Sequence, residues 1–184
     1  DSDIETSILK WDGTREGIPN ARDWFRAFPY RLTEQPRVLV IGSGGGTDVI
    51  LAYCVGSPEV TAIETNPLIV EAVNRWEDSV GHLYDHNHIK LVTEEPRSFM
   101  NQTDEYFDTI VLGFVEPQEA INSGAISLSE DYLFTKDALA DYYDHLTEHG
   151  ALAIIRGPAD IPRLAANAVS FLSQRGMNIH DIGK

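Results

Sequence analysis

Val38-Leu39-Val40-Ile41-Gly42-Ser43-Gly44-Gly45-Gly46-Thr47-Asp48 is the stretch whose reading decides the fold. A short β-branched apolar run breaks into glycines and then into a helix predicted from about Asp48 to Cys54. That is the first β-turn-α step of a parallel α/β sheet. Glycines at such a turn let the backbone pass close to a ligand, because no Cβ intervenes. Val60-Thr61-Ala62-Ile63 reads as the next strand and ends in Glu64. Gly42 and Glu64 stand close to the interval of about 20 residues at which an acid meets a ribose diol. The unit is predicted to bind a nucleoside.

The glycines narrow the class of nucleoside. A dinucleotide turn, G-x-G-x-x-G, would place its third glycine at position 47, where the chain has Thr47. Here Gly42, Gly44 and Gly46 alternate, which suits a turn that hugs a nucleoside with no pyrophosphate to seat. S-adenosylmethionine and its relatives fit this pattern better than NAD. The G-x-x-x-x-G-K-[ST] pattern of a phosphate-cradling loop is absent. The competing reading is a turn that merely packs helix on strand; Glu64 at the end of the second strand tips the balance toward a site.

Outward from this unit, strand and helix alternate. Asn66-Pro67 marks a helix start, with Leu68, Ile69, Ala72, Val73 and Trp76 predicted on one buried face. Residues 77–88 read as a polar loop, Ile89 to Thr93 as a strand, and the region around Ser98 to Met100 as a short helix. Thr109 to Leu112 is a fourth strand, followed by Gly113-Phe114-Val115-Glu116-Pro117 and a long loop over about 118–134. Thr135 is predicted to cap a helix carrying Leu139, Tyr142, Tyr143 and Leu146 inward and closed by Gly150. Ala151 to Ile155, a helix from about Ile161 to Gln174 ended by Gly176, and a strand over Met177 to Ile182 complete the pattern. Ahead of the sheet, Trp11 is the one large anchor of residues 1–19, and Asn20 is predicted to cap a short helix stopped by Pro29. The expected fold is α/β: a doubly wound, mostly parallel sheet with helices on both faces. The division is a leading extension over 1–33 and a Rossmann-like domain over 34–184. In such sheets ligands bind beyond the carboxyl ends of the strands. Gly42–Gly46, Glu64, Glu94–Pro96 and Gly113–Pro117 all follow strand ends, so they are expected to face one crevice.

The 184 residues suffice for one domain with a full core. Acidic side chains (29) outnumber basic ones (14), for a formal net charge of −15. That field disfavours nucleic acid and anionic lipid surfaces and favours a small, cationic substrate such as a polyamine. The simpler explanation, a soluble acidic surface suited to a cytoplasmic setting, is the favoured one. Cys54 is the sole cysteine, which excludes a disulfide framework. No stretch approaches the 18 or so apolar residues of a membrane span, and no signal-peptide pattern opens the chain. The start at Asp1 suits a domain cut from something longer.

These stretches together resemble the spermidine synthase-like branch of the S-adenosylmethionine-dependent methyltransferase superfamily. The carrying residues run from Val38 to Asp48 and from Val60 to Pro67, then Arg97-Ser98-Phe99 and Ser127 to Thr135. The likeness spans roughly residues 34 to 156. It implies a Rossmann-like methyltransferase fold, whose usual closing hairpin has here one candidate strand, so the last strand is absent or a partner copy supplies it, as in a homodimer. It implies S-adenosylmethionine or its decarboxylated form as cofactor. Gly42, Ser43, Gly44 and Gly46 would line the methionine and ribose, Glu64 would take both ribose hydroxyls, and Thr65 would lie against the adenine. Glu95-Pro96 stands where the resemblance puts the acid reaching the adenine amino group, with Glu94 as its neighbour. Similar domains are in several cases attached to membrane-spanning segments. The chain departs from the pattern after the fourth strand: aminopropyltransferases carry Asp-x-x-Asp-Pro there, and this chain has Gly113 and Glu116 in place of the two acids. An ammonium nucleophile, with a pKa near 10, must lose a proton before attacking a sulfonium carbon. Methyl transfer is therefore the leading expectation, with Glu116 as the candidate base. Aminopropyl transfer and a non-catalytic nucleoside-sensing module are the alternatives.

Four other features have a bland explanation beside the functional one. His82, Asp85, His86 and His88 are ligand types in a polar segment and are expected to face solvent without metal. His145 and His149 are placed on one helix face at i, i+4, without the H-E-x-x-H zinc pattern. Asp48 suits a helix N-terminus, and Tyr132 and Phe134 either wall an acceptor pocket or anchor their loop.

Overall fold

The computed structural model describes residues 8–113 and 132–177. Its centre is a five-stranded sheet, β1 (Arg37–Ile41), β2 (Glu59–Ile63), β3 (Ile89–Val92), β4 (Phe107–Leu112) and β5 (Leu146–Ile154). The order is β3-β2-β1-β4-β5 with every pairing parallel. Helices α1 (Thr47–Val55), α2 (Pro67–Arg75), α3 (Pro96–Gln102) and α4 (Lys136–Asp144) fill the crossovers, and α5 (Ile161–Gln174) follows β5. The chain winds from β1 to β3 in one direction, then crosses back to add β4 and β5 on the other side of β1. The reversal lies between β1 and β4, which is where such sheets open a crevice.

Alternation along the strands explains the two layers. Val38 and Val40 of β1 point into a cluster with α1, Val73 of α2, Val80 and Leu83. Leu39 and Ile41 point into the opposite cluster with Phe99, Met100, Ala138, Tyr142 and Leu164. The leading segment joins the first layer. Trp11 is buried, donates its backbone N–H to the Ser79 carbonyl at 2.9 Å and bridges Val80. Ile18, Ala21, Ala27 and Tyr30 share the same cluster as α1.

Several local signals act as read. Asn66 accepts from the Leu68 N–H at 3.0 Å, with Pro67 opening α2. Thr135 Oγ1 accepts from the Ala138 N–H at 3.2 Å and caps α4. Gly176, at φ 85°, closes α5 in a Schellman arrangement, its N–H on the Ser173 carbonyl and that of Met177 on the Leu172 carbonyl.

Elsewhere the structure corrects the reading. The helix capped by Thr135 stops at Asp144, and Leu146 begins β5, which pairs with β4 from Phe107 onward. Gly150 is therefore a strand residue inside a register irregularity. A Cβ there would stand 3.0 Å from the Phe107 carbonyl oxygen, so the glycine permits a close approach of strands. His145 follows α4 while His149 lies on β5, so they share no helix face. Asn20 makes no side-chain cap; 3-10 helices cover Ala21–Asp23 and Phe25–Arg31, with Pro29 inside the second. On α2 only Val73 is buried, whereas Leu68 and, just past the helix end, Trp76 are exposed, so the expected face of five buried residues is not formed. The segment 77–88 buries Val80 and Leu83 under the leading segment, where the backbones of Gly13 and Gly81 nearly touch. Past Met177, the strand expected over Met177 to Ile182 lies outside the described residues, as do Glu116 and the expected loop up to residue 131; Tyr132–Phe134, at the end of that loop, form a 3-10 helix.

Candidate functional site

The glycine turn is held from below by the neighbouring strand. The N–H groups of Gly42 and Ser43 both donate to the Ile63 carbonyl at 2.9 Å, and the Gly46 N–H returns to the Ser43 carbonyl at 2.9 Å. Gly42, Gly44 and Gly46 have φ of 72°, 53° and 87°, a left-handed conformation that L side chains rarely adopt. Gly46 carries a second constraint: a Cβ there would overlap Leu83 Cδ2. One glycine of the alternating set thus serves packing.

Glu64 continues the sheet by its backbone, donating to the Val92 carbonyl at 3.0 Å, and turns its side chain to the same rim. Glu64 is buried, at 5% exposure. Its Oε2 accepts from the Gly44 N–H and its Oε1 from the Asn66 N–H, each at 2.9 Å. One acid therefore ties the glycine turn to the start of α2. Thr65 beside it is exposed.

Tyr84 is a residue that sequence reasoning missed. Its hydroxyl lies 3.0 Å from Ser43 Oγ and donates to the Gly44 carbonyl at 3.2 Å. Burial, with the Glu64 carboxylate adding to it and the Ser43 bond opposing it, pushes the phenol up to about 12. The neutral phenol is thus the form that braces the turn. A tyrosine in a polar stretch gives no signal of such a contact.

Asp48 and Arg26 form the second unforeseen feature. Asp48, nearly buried at the second position of α1, accepts from Arg26 Nε at 3.2 Å, and its other oxygen meets an Arg26 terminal nitrogen. The bond to Asp48 raises the Arg26 guanidinium above its ordinary value. Asp48 thus does more than complement the helix dipole. Tyr30 stands in the same environment, its phenol pushed far up by burial and then by the Asp48 carboxylate. The pair explains Gly113, whose N–H donates to the Ile41 carbonyl at 3.1 Å. A Cβ at 113 would lie 3.1 Å from Asp48 Oδ2 and 3.2 Å from the Gly42 carbonyl oxygen. A side chain there would crowd both oxygens, which would have to give by a few tenths of an ångström.

Glu95 stands at the third strand end, with buried Pro96 opening α3. Its Oε1 accepts from the Arg97 N–H at 3.0 Å and its Oε2 from the Ser98 N–H at 2.8 Å. Partial burial raises its pKa, but these N–H bonds and the Tyr132 and Ser98 hydroxyls outweigh it and hold the carboxyl below its ordinary value. Glu94 is exposed. Phe134 is buried in the second core cluster and accepts from Asn167 through its carbonyl, so it anchors its loop.

The histidines divide. His86 packs between Trp11 and Tyr53, with its Nδ1 accepting from the His88 N–H. It does not face solvent as expected, because the leading segment covers it. Burial lowers its pKa first, and the neighbouring His88 and Arg15 lower it further. His82 instead joins Glu77 and Asp85 in an exposed group whose ligand atoms lie within 4.8 Å. Cys54 is half-buried on α1, its thiol pushed up to about 11 by burial, as fits a packed residue.

No protein-family model matches the chain. A curated relative, the polyamine aminopropyltransferase of Thermoplasma acidophilum, is 27% identical over 92 residues, covering 49% of this chain and 34% of that protein. The chain thus spans about a third of the length of that relative. Among solved structures, the spermidine synthase of Thermotoga maritima aligns with a TM-score of 0.60 and 19% identity, over 90% of this chain and 51% of that one. Human methyltransferase-like protein 13, solved with SAH, aligns with a TM-score of 0.59 and 14% identity, over 83% and 72%. The fold is that of the Rossmann-like methyltransferases, and the sequence likeness lies with its spermidine synthase-like branch. No helix among the described residues is long and apolar enough to cross a membrane.

Proposed function

We propose that the chain is a transferase domain that binds S-adenosylmethionine or its decarboxylated form at the carboxyl ends of β1, β2 and β4. The observation that carries this reading is the setting of Glu64. Each of its oxygens holds one backbone N–H, and a carboxylate oxygen has two acceptor positions. One position per oxygen is left for a ribose hydroxyl, in a carboxylate already fixed against the glycine turn. Gly42, Ser43, Gly44 and Gly46 would follow the ribose and the chain beyond it, Thr65 would lie against the adenine, and Glu95 with Pro96 would border its amino edge. When bound, the sulfonium supplies a carbon activated for C–S cleavage, so positioning provides much of the acceleration.

The named relatives favour aminopropyl transfer to an amine. Methyl transfer is the second reading, favoured by one observation: Gly113 offers no carboxylate, and the nearest one, on Asp48, is committed to Arg26. An attacking ammonium would then need Glu116, or a group of the acceptor itself, to take its proton. Incubation with each donor and a polyamine, followed by mass spectrometry, decides between them. Release of 5′-methylthioadenosine identifies aminopropyl transfer; release of S-adenosylhomocysteine identifies methyl transfer. Tight binding of either donor without any product makes the domain a sensor. Failure of both donors to bind overturns the reading.

A further inference from the structure

At the opposite end of the sheet lies a cavity of about 550 Å³, within the range that holds small ligands. It sits below the amino ends of β1 and β2, where Pro36 and Pro58 lead into those strands, and beside Val55 and Gly56 at the end of α1. Arg15, Arg22 and Arg31 line it, with Glu34 as the one acid among the described lining residues. In a chain of net charge −15 this is a concentration of the scarce sign.

The pairing of these arginines separates them from the rest. Every other arginine of the chain forms an ion pair with a described carboxylate. Among the described residues, Arg15, Arg22 and Arg31 have none. They bond backbone carbonyls instead: Arg15 those of Tyr53 and Ser57 at 2.7 and 2.9 Å, Arg22 that of Val55 at 2.7 Å, and Arg31 that of Arg22 at 2.8 Å. The negative end of the α1 dipole accounts for cations being drawn there. It does not account for their lacking an ion pair among the described residues, Glu34 included. A guanidinium has five N–H donors, and each carbonyl bond uses one. The carbonyls therefore hold the Arg15 fork at two points and those of Arg22 and Arg31 at one each, around one cavity, while neutralising no full charge.

We propose that this cavity is a second ligand site, for a small polyanion of the oligophosphate class. Guanidinium forks match phosphate oxygens bidentately, and three of them require a ligand with more than one anionic group. The site is separate from the nucleoside crevice: β1 spans the gap, and five residues at about 3.3 Å each put the two ends roughly 17 Å apart. It owes nothing to the donor assigned above, so either proposal can fail alone.

The test is calorimetric titration with inorganic tripolyphosphate, with citrate as the carboxylate arm and saturating S-adenosylmethionine as competitor. Tripolyphosphate is expected to bind more tightly than citrate and to be undisturbed by the nucleoside. The double variant Arg22→Ala/Arg31→Ala should lose at least about tenfold in affinity, while Arg75→Ala, an exposed arginine elsewhere, should change nothing. Circular dichroism checks folding, and Arg31→Glu alone gives a second reading with a single carbonyl contact removed. No binding of tripolyphosphate, a preference for citrate, equal weakening by Arg75→Ala, or displacement by the nucleoside would each overturn the proposal.

Discussion

The two ends of β1 are built in opposite ways from the same kinds of bond. At the carboxyl end, an acid reaches backbone N–H groups: Glu64 holds Gly44 and Asn66, and Glu95 holds Arg97 and Ser98. At the amino end, bases reach backbone carbonyls: Arg15 and Arg22 hold those of Tyr53, Ser57 and Val55. Both arrangements follow from the direction of parallel strands and their crossover helices, which send N–H groups to one rim and carbonyls to the other. Charge segregates across the molecule because the backbone does. The net acidity of the chain gives no sign of the basic amino rim.

Substitutions can sharpen this contrast. The largest effect on stability is expected at Gly46, where alanine would combine a left-handed φ with overlap against Leu83. A loss of about 2–4 kcal/mol is expected from denaturant midpoints. Adding Leu83→Ala should cost less in that background than alone, since it removes the overlap. Strict additivity of the two would mean that Leu83 does not read the glycine.

Next is Arg26→Ala, which leaves the Asp48 carboxylate buried without its partner. Breaking such a pair costs about 3–5 kcal/mol when fully buried, and about 2 kcal/mol is expected here because Arg26 is one-third exposed. An unchanged melting temperature would show the pair to be incidental. Tyr84→Phe removes the hydroxyl shared by Ser43 and Gly44 and should cost about 1 kcal/mol.

The smallest effect belongs to the amino end and depends on pH. His86 is held neutral, its folded pKa below the usual value near 6.5. The unfolded chain therefore takes up the proton first as pH falls. The stability contributed by neutral His86 is present above about pH 6.5 and is lost as pH drops through the folded value. Urea midpoints at about pH 7.5 and about pH 5.5 should differ, and His86→Gln should reduce the difference. An equal difference in that variant would place the sensitivity elsewhere.

Much of the carboxyl rim was legible because its signals are local. The β-branched run, the alternating glycines, the spacing to Glu64 and the Asn66-Pro67 cap each act within a few residues or across one crossover. What escaped reading depends on distant partners. Arg26 and Asp48 are brought together by two short 3-10 helices, and neither residue announces the other. Tyr84 meets the turn because Trp11 and Gly13 press the 77–85 segment onto α1. Leu146 to Gly150 carry helical spacing, yet β4 offered them a ladder, and Gly150 lets the strands close up. The arginine-lined cavity was hidden for a further reason: net charge averages over the surface, and the carbonyls that gather Arg15 and Arg22 have no side-chain signature.

Glu64, fixed by the Gly44 and Asn66 N–H groups, is the proposed grip on the sugar of a nucleoside donor. Calorimetric titration of S-adenosylmethionine and its decarboxylated form into the unmodified chain, Glu64→Gln and Arg22→Ala/Arg31→Ala tests it most directly. At least one donor should bind the unmodified chain and the arginine variant alike, and Glu64→Gln should weaken it by about 100-fold, the value of two charge-assisted hydrogen bonds. Undiminished binding by a folded Glu64→Gln, or no binding of either donor by the unmodified chain, would contradict it.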